Sequence, residues 1–219
     1  MPLSKIIANS ITDGAITNTQ INASAGIVAT KLGTMATANM PNGSWILLHA
    51  VSTGVDVAQI AFDNAHITTA YDDYVLMGKN CTPVTDGAEP IIQVSSDNGA
   101  NFNAGVDNGR QYTQITGASG GQESNAHGLG YIQIGTDLGN DANMGHNFIA
   151  WFYGLNNTSY QKFMHYQCIG KHQSAEYKWD GGANIETTSA INYMKFRYNS
   201  GNVKAGSRVA LYGIKGSNF

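Results

Sequence analysis

His165, Cys168 and His172 come nearest to a metal-site pattern in this chain, written His-x-x-Cys-x-x-x-His. Zinc needs its ligands around one point at about 2.0–2.3 Å. The run that carries them, residues 160–171, reads as a strand. There His165 and Cys168 point to opposite faces, while Cys168 and His172 stand about 13 Å apart at about 3.3 Å per residue. The pattern would work on a helix, so no metal is expected. Gly117-Ala-Ser-Gly-Gly121 fits the Gly-x-Ser-x-Gly expression of a nucleophile elbow. That motif acts between a strand and a helix, with a His and an acid downstream. Residues 116–128 read as a Gly/Ser/Asn loop with no helix after them, so Ser119 is expected in a flexible loop.

Paired carboxylates are the remaining catalytic option. Asp72, Asp73, Glu123, Asp137, Asp141, Glu176 and Glu186 are scattered along the chain. Hydrolysis of a glycoside needs two of them at a defined separation. Adjacent Asp72 and Asp73 would face opposite sides of a strand, and the ordinary role of such acids is capping or solvation. Asn156-Asn-Thr-Ser159 carries sequon patterns and reads as a polar turn. No catalytic residue and no cofactor is expected.

Two other groups are candidates for binding or local structure. Ser95-Ser-Asp-Asn-Gly-Ala-Asn-Phe102 matches Ser-x-Asp-x-Gly-x-x-aromatic. Ser95 and Asp97 can bond across a turn, Gly99 can take positive φ, and Phe102 can pin the hairpin to the core. The pattern resembles the Asp-boxes of sialidase propellers, where it is a structural turn repeated from blade to blade; here it occurs once and implies a hairpin clasp. Asp107-Asn-Gly109 reads as a simpler version of that turn. Eleven Tyr and three Trp are more than one core needs. Tyr112, Tyr131, Tyr160 and Tyr177 are candidates to offer flat amphipathic faces to sugar rings or a partner chain, against the alternative of cross-strand pairing within a sheet.

The elements that must position these residues are strands. Runs at 44–51, 55–62, 71–79, 89–96, 130–135, 146–154, 160–171, 175–179, 191–198 and 207–215 are rich in β-preferring residues and divided by Gly/Asn turns. No long segment has helical periodicity. The pattern predicts an all-β, jelly-roll-like sandwich. Its last two strands are expected as a closing hairpin across the turn Asn199-Ser-Gly-Asn202. In Phe148-Ile-Ala-Trp-Phe-Tyr153 both faces are apolar, which predicts cover on both sides by a loop or a neighbouring copy. Met164, Tyr166 and Cys168 share a core-facing side.

Residues 1–34 differ from the rest. Ile6, Ile11, Ile16 and Ile21 fall five apart, followed by Ile27 and Leu32. Five residues advance a helix by about 140° and flip a strand to its other face, so neither element gathers them on one side. They are expected as an oligomerisation or anchor segment, a short stalk in which three parallel copies share an axis. A pentapeptide solenoid and an arm that orders on docking remain alternatives. Residues 35–43, with Pro41 and Asn42-Gly43, read as a linker, and 44–219 as the sandwich.

Of the 219 residues 12% are charged, about half the usual share of roughly 25%. Solubility then rests on Asn, Gln, Ser and Thr. A net charge of -3 without a basic cluster argues against nucleic-acid binding. No apolar run approaches a membrane span and the start lacks an apolar h-region, so assembly in the cytoplasm without membrane insertion is expected. Cys81 and Cys168 are expected as reduced, partly buried thiols.

Trp179, Ile191, Phe196, Gly206 and the final Leu211-Tyr-Gly-Ile214 are together similar to the C-terminal end of β-sandwich proteins from tailed bacteriophages. The short repeats Asp13-Gly-Ala-Ile-Thr17 and Ala29-Thr-Lys-Leu32 resemble the N-terminal stalks of phage tail-fibre and related virion proteins. The resemblance implies a virion structural protein, a homotrimer in a fibre or appendage. It would attach to other virion proteins through its N-terminal arm and display a sandwich toward host surface glycan. A capsid decoration protein and a small polysaccharide depolymerase are the alternatives.

Overall fold

The computed structural model describes residues 43–102, 105–114, 122–172 and 175–216. The chain divides into two units, Met1–Met40 and Pro41–Phe219, and every described residue belongs to the second. Ile6, Ile11, Ile16, Ile21, Ile27 and Leu32 therefore lie outside the described residues, as does the Gly-x-Ser-x-Gly stretch at 117–121.

Twelve strands follow one another: β1 Trp45–Ser52, β2 Ile60–Phe62, β3 Asp73–Cys81, β4 Pro90–Ser95, β5 Gly105–Gln114, β6 Gln122–Leu129, β7 Ile132–Gln133, β8 His146–Tyr153, β9 Lys162–His172, β10 Ala175–Glu186, β11 Tyr193–Tyr198 and β12 Arg208–Ile214. They form an eight-stranded sheet, β1-β12-β3-β8-β9-β10-β5-β6, and a four-stranded sheet, β2-β11-β4-β7. β1 pairs with β12, β2 with β11, β3 with β8 and β4 with β7, all antiparallel. The first half of the chain thus meets the second half in reverse order. The folded ribbon then wraps so that β12 also meets β3 and β11 also meets β4. That is the jelly-roll sandwich, which distributes a long antiparallel ribbon over two sheets. Two hairpins are inserted into it, β5–β6 and β9–β10, and they lie side by side through the β10–β5 pairing.

Three sequence expectations need correction. The final two strands do not form a hairpin. β11 lies between β2 and β4 in the small sheet, whereas β12 lies between β1 and β3 in the large one. The connection is long, and Val203 within it bridges Val57 and Pro83 instead of closing a tight turn. Asp107-Asn-Gly109 is not a turn but the interior of β5, where it pairs with Gly182, Ala183 and Asn184. Residues 122–128, read as loop, belong to β6. Backbone pairing to β10 and β5 supplies the ladder that these polar side chains do not advertise.

The core is the layer between the sheets. β11 alternates intermediate and buried positions, sending Met194, Phe196 and Tyr198 inward. β8 sends Phe148, Ala150 and Phe152 the opposite way to meet them. Phe148 and Phe196 stand 4.9 Å apart, centroid to centroid. Trp179 is fully buried on β10 and donates to Thr136 Oγ1 at 3.3 Å. The Tyr166 hydroxyl donates to the Gln133 carbonyl at 2.9 Å, joining β9 to β7 across the sandwich. Each such ring, taken out of water, contributes on the order of 2 kcal/mol. Cys81 and Cys168 are free thiols within this core, and burial pushes Cys81 up to about 12.

Two ionisable side chains of the interior, Lys162 and His146, are matched. Lys162 is fully buried, and its Nζ donates to the carbonyls of Asn157, Tyr160 and Thr187 at 2.6, 3.2 and 3.1 Å. It fastens the β8–β9 turn to the segment after β10. His146, also fully buried, meets the Tyr198 hydroxyl at 3.0 Å through Nε2, and burial lowers its pKa to about 3.

Two measurements test this core. A Cβ on Gly78 would overlap the Phe148 ring. Gly78→Ala should lower stability by about 1–3 kcal/mol in urea titration, and adding Phe148→Leu should recover part of the loss. Because His146 binds a proton less readily folded than unfolded, stability should be full above about pH 6.5. It should fall as pH drops from there toward 3, by at most about 1.4 kcal/mol per pH unit. His146→Phe should flatten that slope.

Candidate interaction surface

β8 has two apolar faces, and the second is turned outward. Ile149, Trp151 and Tyr153 alternate with the core residues and are half-buried or exposed. Register extends this face across neighbouring strands. Tyr212, Val75, Trp151 and His165 stand in one row on β12, β3, β8 and β9. Val75 has no exposed surface although it points outward, since Tyr212 and Trp151 flank it. Tyr153 and Phe163 pair in the next row, and Trp45 with Ile214 at its far end. Ala210, Met77, Ile149 and Gln167 make a third. Among the described residues no loop covers this face, where Met77, Tyr153, Phe163 and Ile169 are exposed; of the two forms of cover expected for 148–153, the neighbouring copy is the one left for this side.

The rings order one another. Trp151 and His165 stack at 4.3 Å with planes 11° apart, and the Tyr153 hydroxyl meets His165 Nδ1 at 2.8 Å. Trp45 leans on Tyr212 at 6.1 Å. Among the charges on this side, Asp73 stands between Ile214 and Tyr153 and accepts from the Gly154 amide at 2.7 Å. Lys178 and Asp180 neutralise each other at 2.7 Å, Lys171 and Glu176 form one register pair, and Lys79 and Arg208 stand at one end. An apolar hollow of about 460 Å³ lies among Met77, Ile149, Ile169 and the Lys178 stem. Rings held in place over neutral ground suit binding by area. Aromatic residues at fixed rotamers lose little entropy on contact, which is why they are enriched in interfaces.

The tyrosines singled out from sequence are distributed over the body. Tyr160, 72% exposed, tops the β8–β9 turn beside this face. Tyr131 is half-buried between β6 and β7. Tyr177 is on the inner side of β10, with its ring 5.5 Å from Trp179. Tyr112 is in β5, paired in register with Trp179, and its side chain lies outside the described set. Trp45, Trp151, Tyr153, Phe163 and Tyr212 are not among the tyrosines that the sequence offers as binding candidates, although Trp151 and Tyr153 belong to the double-apolar strand and Tyr212 to the C-terminal motif. For Trp151 and Tyr153 the double-apolar alternation of 148–153 is the available signal; Trp45, Phe163 and Tyr212 join them only through strand register.

The turn at 95–102 is a built clasp. Ser95 Oγ donates to Asp97 Oδ1 at 2.5 Å and accepts from the Gly99 and Asp97 amides at 3.1 and 3.2 Å. Asn101 donates to Asp97 through its backbone and its side chain at 2.9 and 2.7 Å. Asn98 and Gly99 take φ of 57° and 85°. Phe102 packs on Tyr193 at 5.9 Å, under the Lys195 ammonium. The clasp does not close a hairpin, because β4 and β5 belong to different sheets; turn chemistry specifies a reversal and not the strand that follows it. Asp97 and Glu186 are both among the residues that line a hollow of about 300 Å³. Hydrogen bonds from Ser95 and Asn101 hold Asp97 near 2, the opposite of what a general acid needs.

His165 is outward on β9 and Cys168 is buried on its inner side. Among the described residues no three His, Cys, Asp or Glu side chains are grouped to hold a metal. Asn156 is occupied structurally, donating to the carbonyls of Thr68 and Tyr71. Comparison with protein-family models finds no match, and comparisons with curated proteins and with solved structures find none.

The clasp yields a direct check. The Asp97 carboxyl should titrate near 2 by carbon NMR, and Ser95→Ala should raise the midpoint toward the ordinary 3.8. An Asp97 midpoint near 3.8 in the parent chain would contradict these bonds.

Proposed function

We propose that the protein is a structural, non-catalytic component of a bacteriophage virion, a homotrimeric fibre or appendage protein assembled in the host cytoplasm. In this reading residues 1–34 attach it to other virion proteins and bring three copies onto one axis. The jelly-roll body is the part displayed, able to contact host surface glycan. The observation that supports the reading best is the ordered aromatic face of the large sheet, bordered by few charges. Such a surface has use in a protein that meets other macromolecules. Three bodies on one axis also turn weak single contacts into avid ones.

The same broad face suits a second reading, a capsid decoration protein seated on the shell. A glycan array separates the two, since reproducible sugar binding favours the appendage and binding to empty capsids alone favours decoration. A small polysaccharide depolymerase is the enzymatic alternative, which release of reducing ends from host polysaccharide would establish. For the leading reading, the purified chain should assemble in threes by light scattering, and deletion of residues 1–34 should weaken that assembly and particle attachment. A chain that is monomeric with and without the deletion would overturn it.

A further inference from the structure

The two sheets have four edges, and they are not guarded alike. β2 and β7 are very short, and β6 reads Gln-Glu-Ser-Asn-Ala-His-Gly-Leu. Short or polar edges discourage pairing with another chain. β1 is different. Trp45-Ile-Leu-Leu-His-Ala-Val-Ser52 has no Lys, Arg, Asp, Glu or Pro, and five of its eight residues are exposed. Trp45 is 45% and Leu47 54% exposed. β12 pairs one side of β1, and among the described residues nothing pairs the other. Its outward N–H and C=O groups form a template for one more strand.

We infer that β1 pairs antiparallel with β1 of a second copy about a twofold axis between Leu48 and His49, joining two large sheets into one. The choice of a second copy comes from the strand's own order of sizes. In that register Trp45 faces Ser52, Leu47 faces Ala50, Ile46 faces Val51 and Leu48 faces His49. On the outer side each large residue meets a small one, which is how facing positions interdigitate. No like charges oppose each other.

The bulge decides the register. In a regular strand, a twofold between two residues would set outward side chains opposite inward ones, because the side-chain period is two. The shift between Leu47 and His49 reverses that parity, so Trp45, Leu47, Ala50 and Ser52 all follow outward positions of β12. Centred on the bulge, the strand matches its own image face for face. A bulge blunts an edge toward regular strands; here the bulged pair Leu48-His49 faces the same pair of its copy, Leu48 against His49. This contact is made by the body and is separate from any threefold made by residues 1–34.

The test is cross-linking of the full chain. Leu47→Cys with Ala50→Cys places each new thiol opposite its counterpart in the partner, at a Cα spacing of about 4.5–5.5 Å, within the range a disulfide spans. Within one copy the two positions are about 10 Å apart, too far to join. The native thiols are buried. Mild oxidation should therefore give a covalent dimer, whereas Trp45→Cys with Ala50→Cys, out of register, should give far less. As a second measurement, Leu47→Lys should halve the assembled mass by light scattering with an unchanged circular dichroism spectrum. Equal cross-linking of the two cysteine pairs, or a mass unmoved by Leu47→Lys, overturns the inference. Loss of threefold assembly on deleting residues 1–34, with cross-linking retained, leaves it standing.

Discussion

Phe148 from the large sheet and Phe196 from the small one meet in the layer that everything else in the body is built around. Two sheets share one thickness of side chains there, and each strand commits one face to it. Close packing gives little room for adjustment, as at Gly78, where a single methyl group would overlap a ring. Three polar side chains caught in or beside this layer have partners that offset their burial. His146 meets Tyr198, Tyr166 reaches Gln133, and Lys162 is held by three carbonyls.

Committing one face inward leaves the other to be accounted for. In a domain with so few charges, the outer face of the large sheet does not become a solvated ionic surface. It becomes an ordered set of rings, with Trp151 and His165 stacked and Tyr153 tied to them by its hydroxyl. The inserted hairpins β5–β6 and β9–β10 extend that sheet well beyond the four strands it faces. Breadth and sparse charge together give the body contact area and little electrostatic reach.

Alternation made most strands readable. β8, β9, β11 and β12 show it plainly, and the inward set Met164, Tyr166 and Cys168 is buried as their spacing implies. β5 and β6 were not readable, because Asp107-Asn-Gly109 has the composition of a turn, and β5 owes its place to the backbone ladder of β10 and β6 to that of β5. The clasp at 95–102 could be recognised from its residues, yet its role in passing the chain from one sheet to the other could not. Spacing along the chain also gave no means of placing Asp97 and Glu186 on the walls of one hollow.

For strands that alternate, such as β8, β9, β11 and β12, the sequence by itself determined which stretches extend and which face of each is apolar, because the two-residue period is local. Partner choice belonged to the tertiary structure. An alternating strand states that one side must be covered without naming the cover, so the separation of β11 from β12, the exposure of Trp45 and Leu47, and the rows around Trp151 were settled when the ribbon wrapped on itself.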